Sequence, residues 1–195
     1  MAILNFQKPD KIILQKANDF EALFEFRPLE PGFGVTIGNA LRRVLLSSLE
    51  GYAIIGVKIE GVDHEFATMK GISEDVVEIF LNLKQVRFKK NVDHEVANEK
   101  IILSLKNKTE FTAGMIGEGT HSFQIMNPDL LICTLDSSAK MDIELTIGKG
   151  RGYVPGNLRR FGYEPTKSIG RIVLDASFAP VRRVSFAVKN ARVEQ

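Results

Sequence analysis

Alternation of apolar and polar residues along most of the chain limits its possible folds more than any other feature. Residues 140–148 (KMDIELTIG) alternate strictly, with apolar side chains at the odd positions, and residues 19–30 (DFEALFEFRPLE) alternate less regularly. A period of two is typical of strands that bury one face. Shorter runs with strand character are QVRFKK, KIILSLK, HSFQIM, LLICTLD and, near the end, VRRVSFAVKN. These patterns predict a chain dominated by short strands.

Two segments have helical spacing instead. Over residues 36–49 apolar side chains recur three and four residues apart, which predicts an amphipathic helix with Thr36 as N-cap and Gly51 just past its end. The apolar stripe consists of Ile37, Ala40, Leu41, Val44, Leu45 and Leu49. Its burial contributes on the order of 10 kcal/mol as an upper bound, so the helix is expected to pack against a sheet or a second copy of the chain.

The second predicted helix covers residues 73–84 (SEDVVEIFLNLK). Ser73 is the expected N-cap. Glu74 and Asp75 lie in the first turn and Lys84 in the last, where each charge interacts favourably with the helix dipole.

Glycines precede the first predicted helix, at Gly32, Gly34 and Gly38, and glycines in that place often bind phosphate. No phosphate motif fits, because Gly38 is followed by Asn39 and Ala40 instead of the lysine and hydroxyl residue of a P-loop. The glycine spacing is also one residue too long for a dinucleotide fingerprint. We therefore expect these glycines to shape the turn before the helix, and a nucleotide-dependent enzyme is not supported.

Composition excludes several classes of protein. The chain has 195 residues, of which 44% are hydrophobic and 26% charged, as in ordinary globular proteins. A net charge of +2 gives no overall electrostatic argument for nucleic-acid binding. The single cysteine, Cys133, forms no internal disulfide. No apolar run is long enough to span a membrane and the N-terminus lacks a signal-peptide pattern, so a cytoplasmic location is expected.

Residues suited to catalysis or metal binding do not occur in the required patterns. The histidines, His64, His94 and His121, are far apart, and Cys133 is not at ligand spacing from any of them. No serine or cysteine nucleophile motif is present. We expect no catalytic residue, no metal site and no bound cofactor.

Two basic surfaces leave alternatives open. One face of the first predicted helix, opposite the stripe, carries Arg42, Arg43, Leu46 and Ser47. This face is either solvated or a protein contact, since arginine is enriched in interface hot spots. The glycine-rich segment GKGRGYVPGNLRR supplies a second basic set, made of Lys149, Arg151, Arg159 and Arg160 beside Tyr153. It suits either nucleic acid, as in a stand-alone nucleic-acid-binding β protein, or an acidic protein partner.

Four long motifs resemble a single family. The chain resembles the N-terminal domain of the alpha subunit of bacterial DNA-directed RNA polymerase from about Ile12 to Gln195, with the motifs in the family's order. The motifs are RPLEPGFGVTIGNALRRVLLSS, SEDVVEIFLNLK, GRGYVP and LDASFAPVRRVSFAVKNARVEQ.

The resemblance implies an α+β fold in two parts. Residues 1–50 and 180–195 would form a discontinuous dimerisation domain of sheet and helices, and residues 51–179 an inserted β-rich domain. This division explains why no linker is evident in the sequence.

The resemblance also implies a non-catalytic role in DNA-templated transcription. Two copies would form a homodimer on which the beta and beta-prime subunits assemble, and those large subunits carry the active site and its magnesium. Omega and sigma complete the assembled enzyme, which is a nucleotidyltransferase.

Matching motifs transfer family roles to three sets of residues. Docking of beta is expected at Arg42, Arg43, Leu46 and Ser47, with Arg43 foremost. Assembly with beta-prime is expected at Lys84, Leu174 and Val181. Self-association is expected at Phe33, Ile37, Leu41, Val44, Leu45 and Leu49.

The sequence departs from the family in two places. The family continues past ARVEQ with a C-terminal helix that completes the dimer interface, then a linker and a small DNA-contacting domain, so DNA contacts are expected mainly outside this chain. The segment 157–168 lacks the usual acidic character after GRGYVP, and no partner contact is assigned to it.

Overall fold

The computed structural model describes residues 8–9, 11–18, 20–137, 139–160 and 170–190. The helices are α1 (Phe33–Ser47), α2 (Val76–Leu83), α3 (Ala113–Glu118) and α4 (Gly156–Arg160). The strands are β1 (Lys11–Ala17), β2 (Ala22–Arg27), β3 (Glu50–Ile59), β4 (Phe88–Lys90), β5 (Asn98–Lys106), β6 (Glu110–Thr112), β7 (Phe123–Ile125), β8 (Leu131–Thr134), β9 (Lys140–Arg151), β10 (Tyr153–Val154), β11 (Arg171–Val173) and β12 (Ala176–Ser177). This mixture of helices and antiparallel strands confirms the predicted α+β class.

Contacts divide the chain into two compact units. The terminal unit comprises the described residues of Met1–Leu46 and Val181–Gln195, and the central unit comprises those of Ser47–Pro180. Assignment of residues 1–50 with 180–195 to dimerisation, and of 51–179 to an insert, stays a prediction.

A four-stranded antiparallel sheet in the order β11-β3-β9-β5 forms the frame of the central unit. Strand β9 confirms the alternation seen in the sequence, because Met141, Ile143, Leu145 and Ile147 are all buried. These side chains belong to the main hydrophobic core, which also includes the buried face of α2. The sheet therefore positions α2 and the loops beside it.

Helix α2 begins later than predicted. The carboxylate of Asp75 accepts a hydrogen bond of 2.7 Å from the backbone N–H of Glu78, so Asp75 is the N-cap and the expectation for Ser73 is wrong. The backbone N–H of Ser73 instead donates to the carbonyl of Thr134 at 3.1 Å. This hydrogen bond to Thr134 of β8 thus holds Ser73 outside the helix.

The central strand β3 has no clear sequence signature. Neighbouring residues Ala53 and Ile54 are both buried, the first in a small cluster with Ala176 and Phe178 and the second in the main core. A strand buried on both faces reads as a continuous apolar run, without alternation. For this reason the sequence patterns did not predict β3.

The terminal unit contains a hairpin and a helix but no buried residue among those described. Strand β1 pairs with β2 so that Ile12 lies opposite Phe26 and Leu14 opposite Phe24. Ile12, Leu14 and Phe24 each remain more than half exposed. The hairpin therefore presents an apolar face that the described chain leaves largely exposed.

Helix α1 starts three residues earlier than predicted. Gly32 adopts a φ of 88° in the preceding turn, and Phe33 is already helical. Thr36, Gly34 and Gly38 consequently lie inside the helix, so neither the predicted N-cap nor the predicted turn role of the latter two glycines is correct. The helix ends at Ser47, which leaves Leu49 outside it and places Gly51 in β3.

Close packing explains the two glycines within α1. A Cβ at Gly38 would lie 2.4 Å from the ring of Phe186, and one at Gly34 would lie 3.0 Å from Val188. Packing thus compensates for the poor helix propensity of glycine. Phe186 and Val188 pack against the helix here, and residues 181–190 form neither strand nor helix, so the strand predicted for VRRVSFAVKN is wrong.

We expect Gly150→Ala to lower the free energy of unfolding of the central unit by about 1–3 kcal/mol. Gly51 and Gly150 lie opposite each other in β3 and β9, and a Cβ at Gly150 would lie 2.4 Å from the buried ring of Phe178. Urea-induced unfolding measures the change. Phe178→Leu should partly restore the stability of the Gly150→Ala variant. It should not restore that of Gly51→Ala, because a Cβ at Gly51 would meet the backbone carbonyl of Phe178 at 1.9 Å. Equal rescue of both variants would contradict this packing.

Candidate subunit interface

The apolar stripe of α1 is only partly covered by the described chain. None of the helix's residues is buried, and Phe33 and Val44 are 42% and 48% exposed. Ile37, Leu41 and Leu45 are half-buried. The helix therefore groups five of the six residues predicted for self-association, whereas Leu49 lies beyond its end in the central unit.

The second half of α1 carries the residues predicted to dock a partner. Arg42, Arg43 and Ser47 are exposed and Leu46 is half-buried. Because they occupy consecutive turns of one helix, the helix presents two charged side chains beside an apolar one. This combination suits a protein interface, in which guanidinium groups bind carboxylates and apolar neighbours exclude water.

A second cluster, in the central unit, is organised by the carboxylate of Asp175. It accepts a hydrogen bond of 2.7 Å from the backbone N–H of Gly156 and lies 3.3 Å from the ammonium group of Lys84. The Gly156 N–H is the main cause of a lowered Asp175 pKa, with smaller contributions from Lys84 and the Tyr153 hydroxyl. In turn, the hydrogen bond with Asp175 raises the pKa of Tyr153. Asp175 thereby joins the end of α2 to the GRGYVP segment.

The three residues predicted for beta-prime lie in different environments. Lys84 lies at the surface of the cluster, whereas Leu174 is only 4% exposed and its backbone N–H donates to the carbonyl of Ile55 at 3.1 Å. Leu174 is therefore a core residue that supports the neighbouring Asp175. Val181 is half-buried and belongs to the terminal unit.

Carboxylates engage the basic residues of the glycine-rich segment. The ammonium group of Lys149 lies 2.9 Å from both Glu50 and Glu95, and the guanidinium of Arg151 lies 2.7 Å from Glu50. Hydrogen bonds from Lys149 and then Arg151 lower the pKa of Glu50 to about 2. This ion-pair network reduces the positive potential available to nucleic acid. The side chains of Arg159 and Arg160 lie outside the described part of α4.

No catalytic arrangement emerges elsewhere in the part of the chain that the structure describes. Within it, no three His, Cys, Asp or Glu residues are grouped to hold a metal ion. Cys133 is buried, and desolvation raises its pKa to about 12, so the thiolate nucleophile is suppressed. None of the described helices combines the length and apolar character needed to cross a membrane.

Sequence reasoning missed three residues that shape these surfaces. Asp175 and Tyr153 lie in the recognised motifs but were given no partner, and Glu50 was not considered. An acidic residue flanked by apolar residues, as in VLDAS, is the sequence signal that identifies Asp175 as a residue with a specific partner. The partners themselves, Lys84 and Gly156, are distant in the sequence and only the fold brings them close.

Residues 57–179 match the family described as the RNA polymerase Rpb3/RpoA insert domain. The chain belongs to this family.

Curated relatives identify the branch of the family. The DNA-directed RNA polymerase subunits alpha of Cytophaga hutchinsonii, Flavobacterium psychrophilum and Bacteroides fragilis are 56%, 53% and 54% identical to it across the whole chain. These matches confirm the resemblance to the bacterial alpha subunit. The chain spans 58% of the length of these relatives.

We expect Asp175→Asn to destabilise the central unit by about 1 kcal/mol at neutral pH, after allowance for solvent screening. Because the folded-state pKa of Asp175 is lowered, its carboxylate stabilises the fold above the usual value of 3.8 and loses that effect as the pH falls through the folded-state pKa. The difference between wild type and Asp175→Asn should therefore shrink in acid. Urea unfolding over a pH series tests this, and a difference that does not vary with pH would refute it.

Proposed function

We propose that this chain is the assembly part of a bacterial RNA polymerase alpha subunit. It forms a homodimer that serves as a platform for the beta and beta-prime subunits in DNA-templated transcription. It carries no active site and binds no cofactor, and it works in the cytoplasm within a nucleotidyltransferase complex. The observation that carries the proposal is the partly exposed apolar stripe of α1 in a unit that has no buried residue among those the structure describes.

Energetics support self-association through the stripe. A unit of this kind gains little from hydrophobic burial until another surface covers it. Pairing of two copies across a two-fold axis brings the same stripe from each copy together, so one apolar surface covers the other. Phe33, Ile37, Leu41, Val44 and Leu45 would form the contact.

Two further surfaces then receive the large subunits. Arg42, Arg43, Leu46 and Ser47 dock beta. Lys84 in the central unit and Val181 in the terminal unit each contribute to beta-prime assembly. Leu174 acts from the core by holding Asp175 in place. The names of the curated relatives support membership of the polymerase complex, while these particular contacts are our assignment.

The alternative, a stand-alone nucleic-acid-binding β protein, is not favoured. Its basic residues Lys149 and Arg151 are already engaged by Glu50 and Glu95. Binding of phosphate there would have to displace these ion pairs.

Val44→Glu should weaken the dimer at least thirtyfold while leaving the monomer folded. Val44 is 48% exposed in a single chain, so the charge costs little there, but it is desolvated when two stripes meet. Sedimentation equilibrium of the complete polypeptide measures the dimer affinity. Thr36→Glu, at an exposed position of the same helix, is the matched control. An unchanged dimer affinity in Val44→Glu would contradict the assignment of the stripe.

Arg43→Ala should leave the dimer intact and weaken beta docking by about thirtyfold, as expected for truncation of an interface arginine. Co-expression of tagged complete polypeptide with beta and beta-prime, followed by quantitative pull-down, gives the affinity change. Lys58→Ala, an exposed basic residue of β3, controls for loss of charge. Full retention of beta by Arg43→Ala would remove this residue from the docking surface.

A further inference from the structure

An exposed aromatic side chain lies beside the cluster that Asp175 organises. Tyr153 is 62% exposed, whereas its neighbour Val154 packs against the smaller buried cluster that contains Phe178. Successive side chains of a strand point to opposite faces, and the pairing of Tyr153 with Ser177 fixes the register of β10. The buried cluster therefore determines which face of β10 points inward and leaves the ring of Tyr153 on the outside.

A hydrogen bond fixes the orientation of this ring. The hydroxyl of Tyr153 donates to the carboxylate of Asp175. The same carboxylate accepts from the backbone N–H of Gly156 at 2.7 Å and from the ammonium group of Lys84 at 3.3 Å. A side chain that is held in one orientation before binding loses less conformational entropy when a partner covers it. Asp175 is therefore a positioning residue, and Tyr153 offers the exposed surface.

A second exposed apolar side chain adjoins Lys84. Leu81 is 54% exposed and precedes Lys84 by three residues at the end of α2. Lys84 is the C-cap and keeps helical dihedral angles, with φ −64° and ψ −19°. Residues three apart on a helix are neighbours, with about 5–6 Å between their Cβ atoms. A connected patch therefore runs from Leu81 through the ion pair of Lys84 and Asp175 to Tyr153.

We propose that Tyr153 and Leu81 are the apolar anchors of the beta-prime docking surface, and that an uncharged, apolar face of beta-prime covers them together with the Lys84–Asp175 ion pair. The inference rests on the proposed function, in which Lys84 contributes to beta-prime assembly, and extends that role to two residues that had none. Lys84 then acts by holding Asp175, and not by pairing with an acidic residue of beta-prime.

The charges around this patch are balanced within the chain. Lys84 is paired with Asp175, and the basic residues Lys149 and Arg151 of the glycine-rich segment are paired with Glu50. Nucleic-acid binding draws its affinity from basic residues that neutralise phosphates, and these residues are already engaged. Aromatic and aliphatic side chains with few unbalanced charges are typical of the centre of a protein interface. An apolar protein surface therefore suits this patch better than nucleic acid or an acidic segment.

The test measures binding of labelled beta-prime to the complete polypeptide already assembled with beta from the same source. Tyr153→Ala, Tyr153→Phe, Leu81→Ala and Lys84→Ala are compared with wild type. Ile102→Ala is the matched control, because Ile102 is an apolar side chain of the same unit that is 75% exposed on β5. Urea unfolding and beta binding are measured for every version to detect a folding defect. Hydroxyl-radical footprinting of the wild-type complex adds a measurement that needs no variant, the oxidation of Tyr153 with and without beta-prime.

We expect Tyr153→Ala to lose roughly thirtyfold in beta-prime affinity and Leu81→Ala roughly fivefold, as for truncation of interface anchors. Tyr153→Phe keeps the ring but not the hydrogen bond, so its affinity should lie between those of wild type and Tyr153→Ala. These losses should be the same at low and high salt, because salt screens charges and not apolar contacts. Ile102→Ala should stay within about twofold of wild type, and beta-prime should reduce the oxidation of Tyr153 about fivefold or more.

Wild-type affinity for beta-prime in Tyr153→Ala, or unchanged oxidation of Tyr153 in the complex, would overturn the inference. The proposed function stands in that case if Lys84→Ala still weakens binding, and the beta-prime role of Lys84 fails as well if it does not. Losses that depend on salt would overturn the apolar character of the partner surface. If Tyr153→Ala lowers only the affinity for single-stranded DNA in a filter-binding assay, the patch is a nucleic-acid surface and the inference is wrong.

Discussion

The antiparallel pairing of β3 with β9 is the interaction on which the central unit depends. It runs from Glu50 opposite Arg151 to Ile59 opposite Ile143, and each of the two strands also pairs with an outer strand of the sheet. At one end of the pairing, Gly51 and Gly150 leave room for Phe178 to pack against the strands. At the same end, Glu50 forms ion pairs with Lys149 and Arg151. Helix α2 packs against the same sheet, and strand β11, which leads to Asp175, belongs to it. The positions of Lys84 and Asp175 in the candidate beta-prime surface therefore depend on this pairing.

The terminal unit obeys a different constraint. It has regular secondary structure but no buried residue among those described, and apolar side chains remain exposed on both its hairpin and α1. Hydrophobic burial is the dominant favourable contribution to folding, so such a unit is suited to stabilisation by association. The central unit has an extensive core, whereas the described residues of the terminal unit form none, and this contrast agrees with the proposed role of an assembly subunit.

Prediction from the sequence succeeded where apolar side chains recur at a regular spacing and failed where packing against distant residues determines the structure. The alternation of KMDIELTIG identified β9, and helical spacing identified α1 and α2. The sequence did not reveal β3, which is buried on both faces, or the correct start of α1, because Gly34 and Gly38 resemble turn residues until Val188 and Phe186 are seen against them. The strand expected over residues 181–190 is absent, since Phe186 and Val188 pack against α1 and the segment pairs with no strand among the described residues.

By itself the sequence determined the α+β class, the family, and the two faces of α1, since motif order and residue spacing are properties of the chain alone. The tertiary structure alone decided that Asp175 joins Lys84 to Gly156, that Leu174 is buried in the core, and that Glu50 forms ion pairs with a basic segment. It also brought residues 186 and 188 against α1. The physical reason is that charge pairing and burial depend on distances in space, which contacts between residues far apart in the chain establish only once the fold is complete.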